Sequence, residues 1–236
     1  MNSLSIIVPI FNEEQNIQNL FNEFINNNIY DLVDEIIYID DFSIDDSLLI
    51  LNSIKKINSK VVVLNHKKNY GQSKCFYTGI NFSKSKTIIT IDGDGQNNPK
   101  DILKLLNIYF SEDKIALVGG IRYKRKDTFI KRISSKIANN FRKTILNDEC
   151  DDTGCSLKIF DRETFMQLPF FNGMHRFLPA LFKGRNKKTK FVNVDHRARI
   201  YGSSNYGTFN RLFNGIFDII RVLIINYKYN KQKHHK

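Results

Sequence analysis

The chain has 236 residues, enough for one sizeable domain with an appended segment, and a globular composition of 42% hydrophobic and 25% charged residues with 4 Pro and 12 Gly. The sequence has no low-complexity tract beyond a polar tail, no internal repeat and no stretch that reads as a linker. A formal charge of +12, from 36 Lys and Arg against 24 Asp and Glu, calls for an anionic partner: nucleic acid, a phosphorylated small molecule or an acidic membrane surface.

The segment SIIVPIF (5–11) is a short β-branched apolar run and predicts a buried parallel strand. Asn12 follows as an expected N-cap, with Gln15 at the capping-box position, and Ile17, Leu20, Phe21 and Phe24 repeat at helical spacing. EIIYID (35–40) predicts a second strand ending in Asp40 and Asp41. SIDDSLLILNSI predicts a helix capped by Ser43 or Asp45. VVVLN (61–65) and TIITID (87–92) predict the third and fourth strands, with NYGQSKCFYTGI between them as a glycine turn entering a helix. Helix 99–110 is expected to carry Pro99 in its first turn, where a missing N–H is harmless.

After IALVGGIRY (115–123) the character changes: residues 122–143 hold nine basic residues and one acid on an expected helix. CSLKIF (155–160) and KFVNVDHRARI (190–200) read as further strands. The last helix, expected over about 206–227, is apolar around most of its circumference, with Arg211, Asn214, Asp218 and Arg221 as one polar stripe. Lys228, Lys231, Lys233 and Lys236 follow, so residues 206–236 read as an amphipathic helix and basic tail able to lie on a membrane surface. Residues 1–205 form the main domain. The start MNSLSIIVPIFNEE has no basic lead, and no uncharged apolar run reaches the roughly 18 residues of a membrane span, so no signal peptide or span is expected. Cys75, Cys150 and Cys155 lack the paired spacings of a disulfide framework or a zinc site, and read as buried hydrophobes in a reducing cytoplasm.

Strands alternating with helices predict an α/β fold with a doubly wound, mostly parallel sheet. Ligands in such sheets collect beyond the carboxyl ends of the strands. Polar residues cluster at those ends: Asn12-Glu13, Asp40-Asp41, Asn69 with Gly71, and Asp92-Gly93-Asp94. An Asp-x-Asp loop suits a hard divalent cation, Mg²⁺ or Mn²⁺, that shares its remaining positions with water and substrate phosphates, and Gln96 adds a neutral oxygen. Gly93 and Gly95 let the loop turn sharply. The alternative is a polar turn in which Asp92 only precedes a helix. Asp40 and Asp41 suit a nucleobase N–H or a ribose hydroxyl. The chain lacks both G-x-G-x-x-G and G-x-x-x-x-G-K-[ST], so neither a dinucleotide fold nor a P-loop is supported.

SIIVPIFNEEQNI, DDFSIDDS, NYGQSKCFYTGI and IDGDGQNNP, in this order, resemble glycosyltransferase family 2 with its GT-A fold. GGIRYKRKDTFIKRISSK, DDTGCSLKIFDRETF, HRFLPAL and HRARIYGSSNYG extend the resemblance, over residues 4 to about 207, to the branch that glycosylates polyprenyl phosphates. The resemblance implies a metal-dependent inverting transferase moving a hexose from a UDP- or GDP-linked sugar to undecaprenyl or dolichyl phosphate, peripheral on the inner face of the membrane. It implies that Pro9, Phe11, Glu13 and Asp41, with Asp92, form the nucleotide end of the pocket. Asp92, Asp94 and Gln96 would hold the metal, Arg122, Arg132 and Ser135 the acceptor phosphate, and Arg199 with Ser203 a loop closing over the donor. Phe11 stands where tyrosine is frequent, Gly95 and Asn97 where leucine and histidine are, and Asn205 where a lysine is.

An already ionised phosphate acceptor requires no general base, whereas a sugar hydroxyl does. A second reading, a family 2 enzyme acting on a sugar hydroxyl in cell-surface polysaccharide synthesis, makes Asp152 the base; His175 and His196 are lesser candidates. A third, a basic nucleic-acid-binding domain, leaves the Asp-x-Asp loop without a role, and no nucleic-acid module is present.

Overall fold

The computed structural model describes residues 3–123, 140–199, 201 and 208–234. Arg132, Ser135, Ser203 and Asn205, and most of the expected helix over 122–143, lie outside these residues; 122 and 123 are strand, and 140–146 are helical.

Seven strands form one sheet in the order β3-β2-β1-β4-β6-β5-β7. They are β1 (Leu4–Ile10), β2 (Glu35–Asp40), β3 (Val61–Asn65), β4 (Thr87–Thr90), β5 (Ile115–Tyr123), β6 (Lys158–Asp161) and β7 (Lys188–Asp195). The β3-β2-β1-β4 half is parallel throughout. β6 runs antiparallel to both β4 and β5, and β7 returns parallel to β5. The expected doubly wound, mostly parallel sheet is therefore present, with one reversed strand.

Alternation along the strands makes two cores. Ile6, Val8 and Ile10 of β1 and Ile36 and Tyr38 of β2 face one side, where they meet α1 (Glu14–Asn26), the one-turn α2 (Ile29–Leu32), α3 (Ser47–Ile57) and α5 (Asp101–Ser111). Ile7, Ile37 and Ile39 face the other, covered by α4 (Gln72–Phe82), the short helix Leu178–Lys183, and Ile219 and Val222 of the C-terminal helix. Strands buried on both faces explain the unbroken apolar runs in the sequence. All three cysteines are free and buried.

Chain direction around the sheet reverses between β1 and β4, the neighbours whose connections lead to opposite sides. That switch point opens a crevice beyond their carboxyl ends. The register aligns those ends, with Ile10 opposite Asp40 and Ile7 opposite Thr90.

Several local expectations are corrected. Asn12 is not the N-cap of α1; it sits at φ 55°, and its Oδ1 accepts from the Ile44 N–H at 2.9 Å. The cap position falls on Glu13, whose Oε2 accepts from Asn16 Nδ2 at 2.6 Å. Asp45 Oδ1 does accept from Ser47 N–H at the start of α3, although the flanking residue is Asp46. Pro99 precedes α5 and offers its carbonyl to Ile102 N–H. The C-terminal helix runs Thr208–His234, longer than expected at its carboxyl end. Asp218, a member of the polar stripe, is buried and accepts from Arg176 at 3.2 Å. The side chains of Arg211 and Asn214 are outside the description.

Candidate active site

The Asp92–Gln96 loop leaves β4 directly over the end of β1. A side chain at Gly93 would lie 2.4 Å from Ile10 Cδ1 and 2.9 Å from the Pro9 carbonyl, so only glycine allows this approach; Gly95, at φ 71°, completes the turn. Asp92 accepts from Gln72 Nε2 at the start of α4 and is supported by Ser156. Burial, and then the Asp94 charge, push its carboxyl up to about 6. A buried carboxylate whose ionisation is opposed by the charge beside it calls for a cation.

Asp94 Oδ1 accepts from Gln96 N–H at 3.1 Å, and Gln96 donates its amide N–H to the Arg197 carbonyl at 3.2 Å, which directs its amide oxygen away from that bond. The available donors at this loop are all oxygens, a set that fits Mg²⁺ or Mn²⁺. Asn97 faces inward instead. It is buried and donates to Ser156 Oγ at 2.9 Å, so the histidine-to-asparagine departure acts on the footing of the loop.

A backbone bridge between Asn97 and His196, and the Arg197 N–H to Gln96 carbonyl bond at 2.9 Å, tie this loop to the segment after β7. That tie delivers Arg199. Its guanidinium donates to Glu13 Oε1 and lies 4.0 Å from Asp94 Oδ2, joining the nucleotide end to the acidic loop. Burial raises the Glu13 carboxyl while Asn16 and Arg199 oppose the rise. Pro9 and Phe11 are half-buried at the end of β1.

Asp41 is 2% exposed and its carboxylate is already engaged. Oδ1 meets His66 Nδ1 at 2.6 Å and the Tyr70 N–H at 3.0 Å, and Oδ2 accepts from Gly71 N–H at 2.7 Å. It fixes the turn into α4. Asp40 differs: Oδ2 accepts from Ser43 N–H, but the buried Oδ1 has no hydrogen-bond partner. Of the two, Asp40 retains the unused acceptor. Phe42 between this pair and α3 is held at φ 67°, an unusual state for an aromatic residue, and half of its surface is exposed.

On the other flank Arg122, near the end of β5, grips Asp152 in a bidentate pair: Nε to Oδ2 at 2.7 Å and Nη2 to Oδ1 at 2.8 Å. The Arg122 backbone N–H adds a third bond to Oδ2 at 3.2 Å. Asp152 is thus not an unengaged base. His175 Nδ1 shares a 2.6 Å bond with Ser73 Oγ. Burial, Lys158 and Arg176 hold this imidazole well below its usual range and therefore neutral.

Gln72 and His66 escaped the sequence reading. Both lie at the strand-end face, Gln72 opening α4 and His66 just after β3, and that position was their available signal.

The fold and the acidic loop at its switch point define a glycosyltransferase of the GT-A class. The chain belongs to glycosyl transferase family 2, whose model matches residues 5–168. It is 33% identical to a dodecaprenyl-phosphate galacturonate synthase of Rhizobium johnstonii over 95% of this chain and 68% of that protein. It is 28% identical to an undecaprenyl-phosphate 4-deoxy-4-formamido-L-arabinose transferase of Proteus mirabilis, over 94% and 68% of the two chains. The chain therefore spans about two thirds of the length of these relatives. Among solved structures, glucosyl-3-phosphoglycerate synthase from Mycobacterium tuberculosis, crystallised with Mn²⁺, UDP and phosphoglyceric acid, superposes with a TM-score of 0.69 at 19% identity, covering 95% of this chain and 78% of that one. None of the described helices is long and apolar enough to cross a membrane.

Proposed function

We propose that this family 2 enzyme transfers a sugar, expected to be a hexose, from a UDP- or GDP-linked donor to a polyprenyl phosphate, with inversion at the anomeric carbon. The observation that carries the reading is the Arg122–Asp152 pair. Asp152, the candidate base for a hydroxyl acceptor, has both carboxylate oxygens bound to a guanidinium. A phosphate monoester, with its second pKa near ~6, arrives largely ionised and requires charge compensation without a base. Both relatives act on polyprenyl phosphates by name.

In this reading Pro9, Phe11 and Glu13 bound the nucleotide end, with Asp40 offering its unused oxygen and Asp41 holding the turn that frames it. Asp92, Asp94 and Gln96 would hold Mg²⁺ or Mn²⁺ against the donor diphosphate. When bound, that ion supplies Lewis-acid compensation of the charge that grows on the leaving diphosphate. Arg199 couples the donor side to closure: its contacts to Glu13 and Asp94 hold the segment after β7 beside the acidic loop, and Ser203 is assigned to the same donor role. Arg122 is held in a fixed orientation by Asp152 and presents its remaining edge to the acceptor phosphate together with Arg132 and Ser135. Arginine suits this role because its planar fork matches phosphate oxygens. The acceptor is a membrane lipid, so the protein works as a peripheral enzyme at the inner face of the membrane, with residues 206–236 as its surface contact.

A thermal-shift panel of UDP- and GDP-sugars with Mn²⁺ or Mg²⁺ tests the donor side, since a ligand that binds only the folded state raises its stability. Asp94→Ala is expected to abolish the metal-dependent shift. Turnover of purified polyprenyl phosphate tests the acceptor side, where Arg132→Ala should be inactive. A hydroxyl acceptor turned over in preference to the lipid phosphate would overturn the reading.

A further inference from the structure

The C-terminal helix is fastened to the domain along a narrow line. Ile219 and Val222 are buried, Asp218 meets Arg176, and Asn226 Nδ2 donates to the Ala180 carbonyl at 3.1 Å. Its outward face carries an apolar row: Ile216, Phe217, Ile220, Leu223, Ile224 and Tyr227 are between 42% and 68% exposed. A helix that turns its apolar row away from its own domain is amphipathic in the sense opposite to an ordinary surface helix.

Beside this row, between the helix and the 167–172 turn, lies a groove of about 820 Å³. Phe170, Phe171, Arg185, Arg221, Lys228 and Tyr229 line it, and none of its lining residues is acidic. Arg185 is the informative member, at 5% exposed. Nη1 donates to the Leu181 carbonyl at 3.1 Å, Nη2 to the Gln167 carbonyl at 3.4 Å, and the guanidinium lies 4.8 Å from the centre of the Tyr229 ring. Its Nε has no hydrogen-bond partner, and no carboxylate among the described residues forms an ion pair with it. A buried guanidinium without a counter-charge is costly. Arg221, which also meets Asp218 Oδ1 at 3.5 Å, and Lys228 share the groove, and the Arg185 charge is left for a ligand to neutralise.

We propose that this groove binds the phosphate of an anionic membrane lipid, with Arg185, Arg221 and Lys228 around the headgroup and the row from Ile216 to Tyr227 among the acyl chains. The site rests on the membrane reading above and extends it, because it is separate from the acidic loop and from Arg122. Cation and apolar row share one helix flank, so one orientation of the domain satisfies both.

Vesicle co-sedimentation of the full chain tests the site, with phosphatidylcholine alone and with about a third phosphatidylglycerol. Wild type is expected to bind the anionic vesicles far more tightly. Lys228→Ala, at an exposed position, and Arg221→Ala, which leaves Asp218 its Arg176 partner, should each weaken that binding about 5-fold, the value of roughly 1 kcal/mol per near-surface cation. Arg185→Met should weaken it by more than either. Lys55→Ala with Lys56→Ala, on α3 across the sheet, should leave it unchanged. Equal losses in that control would reduce the effect to bulk charge and overturn the groove; so would groove variants that bind like wild type. A dimer in solution with no vesicle binding would assign the apolar row to a second copy and also overturn it. Failure of the acceptor reading shows separately, as no turnover of detergent-dispersed polyprenyl phosphate, an assay that requires no bilayer.

Discussion

Replacing Asp152 by asparagine removes a charge from a pair whose side chains are only 17% and 8% exposed while keeping its shape. Two side-chain bonds of 2.7 and 2.8 Å lose their charge assistance, and the backbone N–H of Arg122 keeps at best a neutral acceptor. Breaking a buried pair from one side costs about 3–5 kcal/mol. Arg122 retains some access to water, which places the loss at the low end, about 3 kcal/mol. At this chain length each kcal/mol moves the melting temperature by about 2–4 °C, so Asp152→Asn should melt about 6–12 °C lower. Removing both charges, in Arg122→Met with Asp152→Leu, should restore part of that loss, because no lone buried charge remains. Turnover on polyprenyl phosphate should fall in Asp152→Asn through the disordered guanidinium, and at least as far in Arg122→Met. Melting curves and initial rates on the same preparations provide the check. An Asp152→Asn protein that melts like wild type yet is inactive, beside an active Arg122→Met, would refute this reasoning and make Asp152 a general base.

Gln72→Leu should weaken Mn²⁺ binding about 10–100-fold by releasing Asp92, with isothermal titration as the measurement, since partners that orient a metal ligand contribute on that scale. Because Asp92 in the metal-free protein titrates near about 6, the proton competes with the ion: Mn²⁺ affinity should climb from pH 5 to pH 7 and level off above, and a flat profile would contradict the shift. The same shift has a stability consequence of opposite sense. The folded-state value lies above the unfolded 3.8, so metal-free protein should lose stability as pH rises from about 4 to 6, and added Mn²⁺ should reverse the trend in a melting series. Arg199→Met should raise the KM for the nucleotide-sugar more than it lowers kcat if the residue positions the closing segment, and unchanged steady-state kinetics would remove Arg199 from that role.

What the sequence determined by itself is whatever depends on local period and strand-end position. The β-branched runs at 4–10, 35–40, 61–65 and 87–90 are strands because side chains buried on both sheet faces must be apolar throughout. Polar residues immediately after such runs mark the carboxyl edge of a parallel sheet, so the Asp92–Gln96 loop and the Glu13 region were legible as one site. Tertiary structure alone decided the pairings. Nothing in the spacing joins Arg122 to Asp152, Arg199 to Glu13 or Gln72 to Asp92, because those contacts bring together segments between 20 and 186 residues apart. Nor does helical periodicity reveal which side of the C-terminal helix faces the domain. With apolar residues around most of its turn, the choice fell to Arg176 and Ala180, which captured Asp218 and Asn226 and left the row from Ile216 to Tyr227 outside.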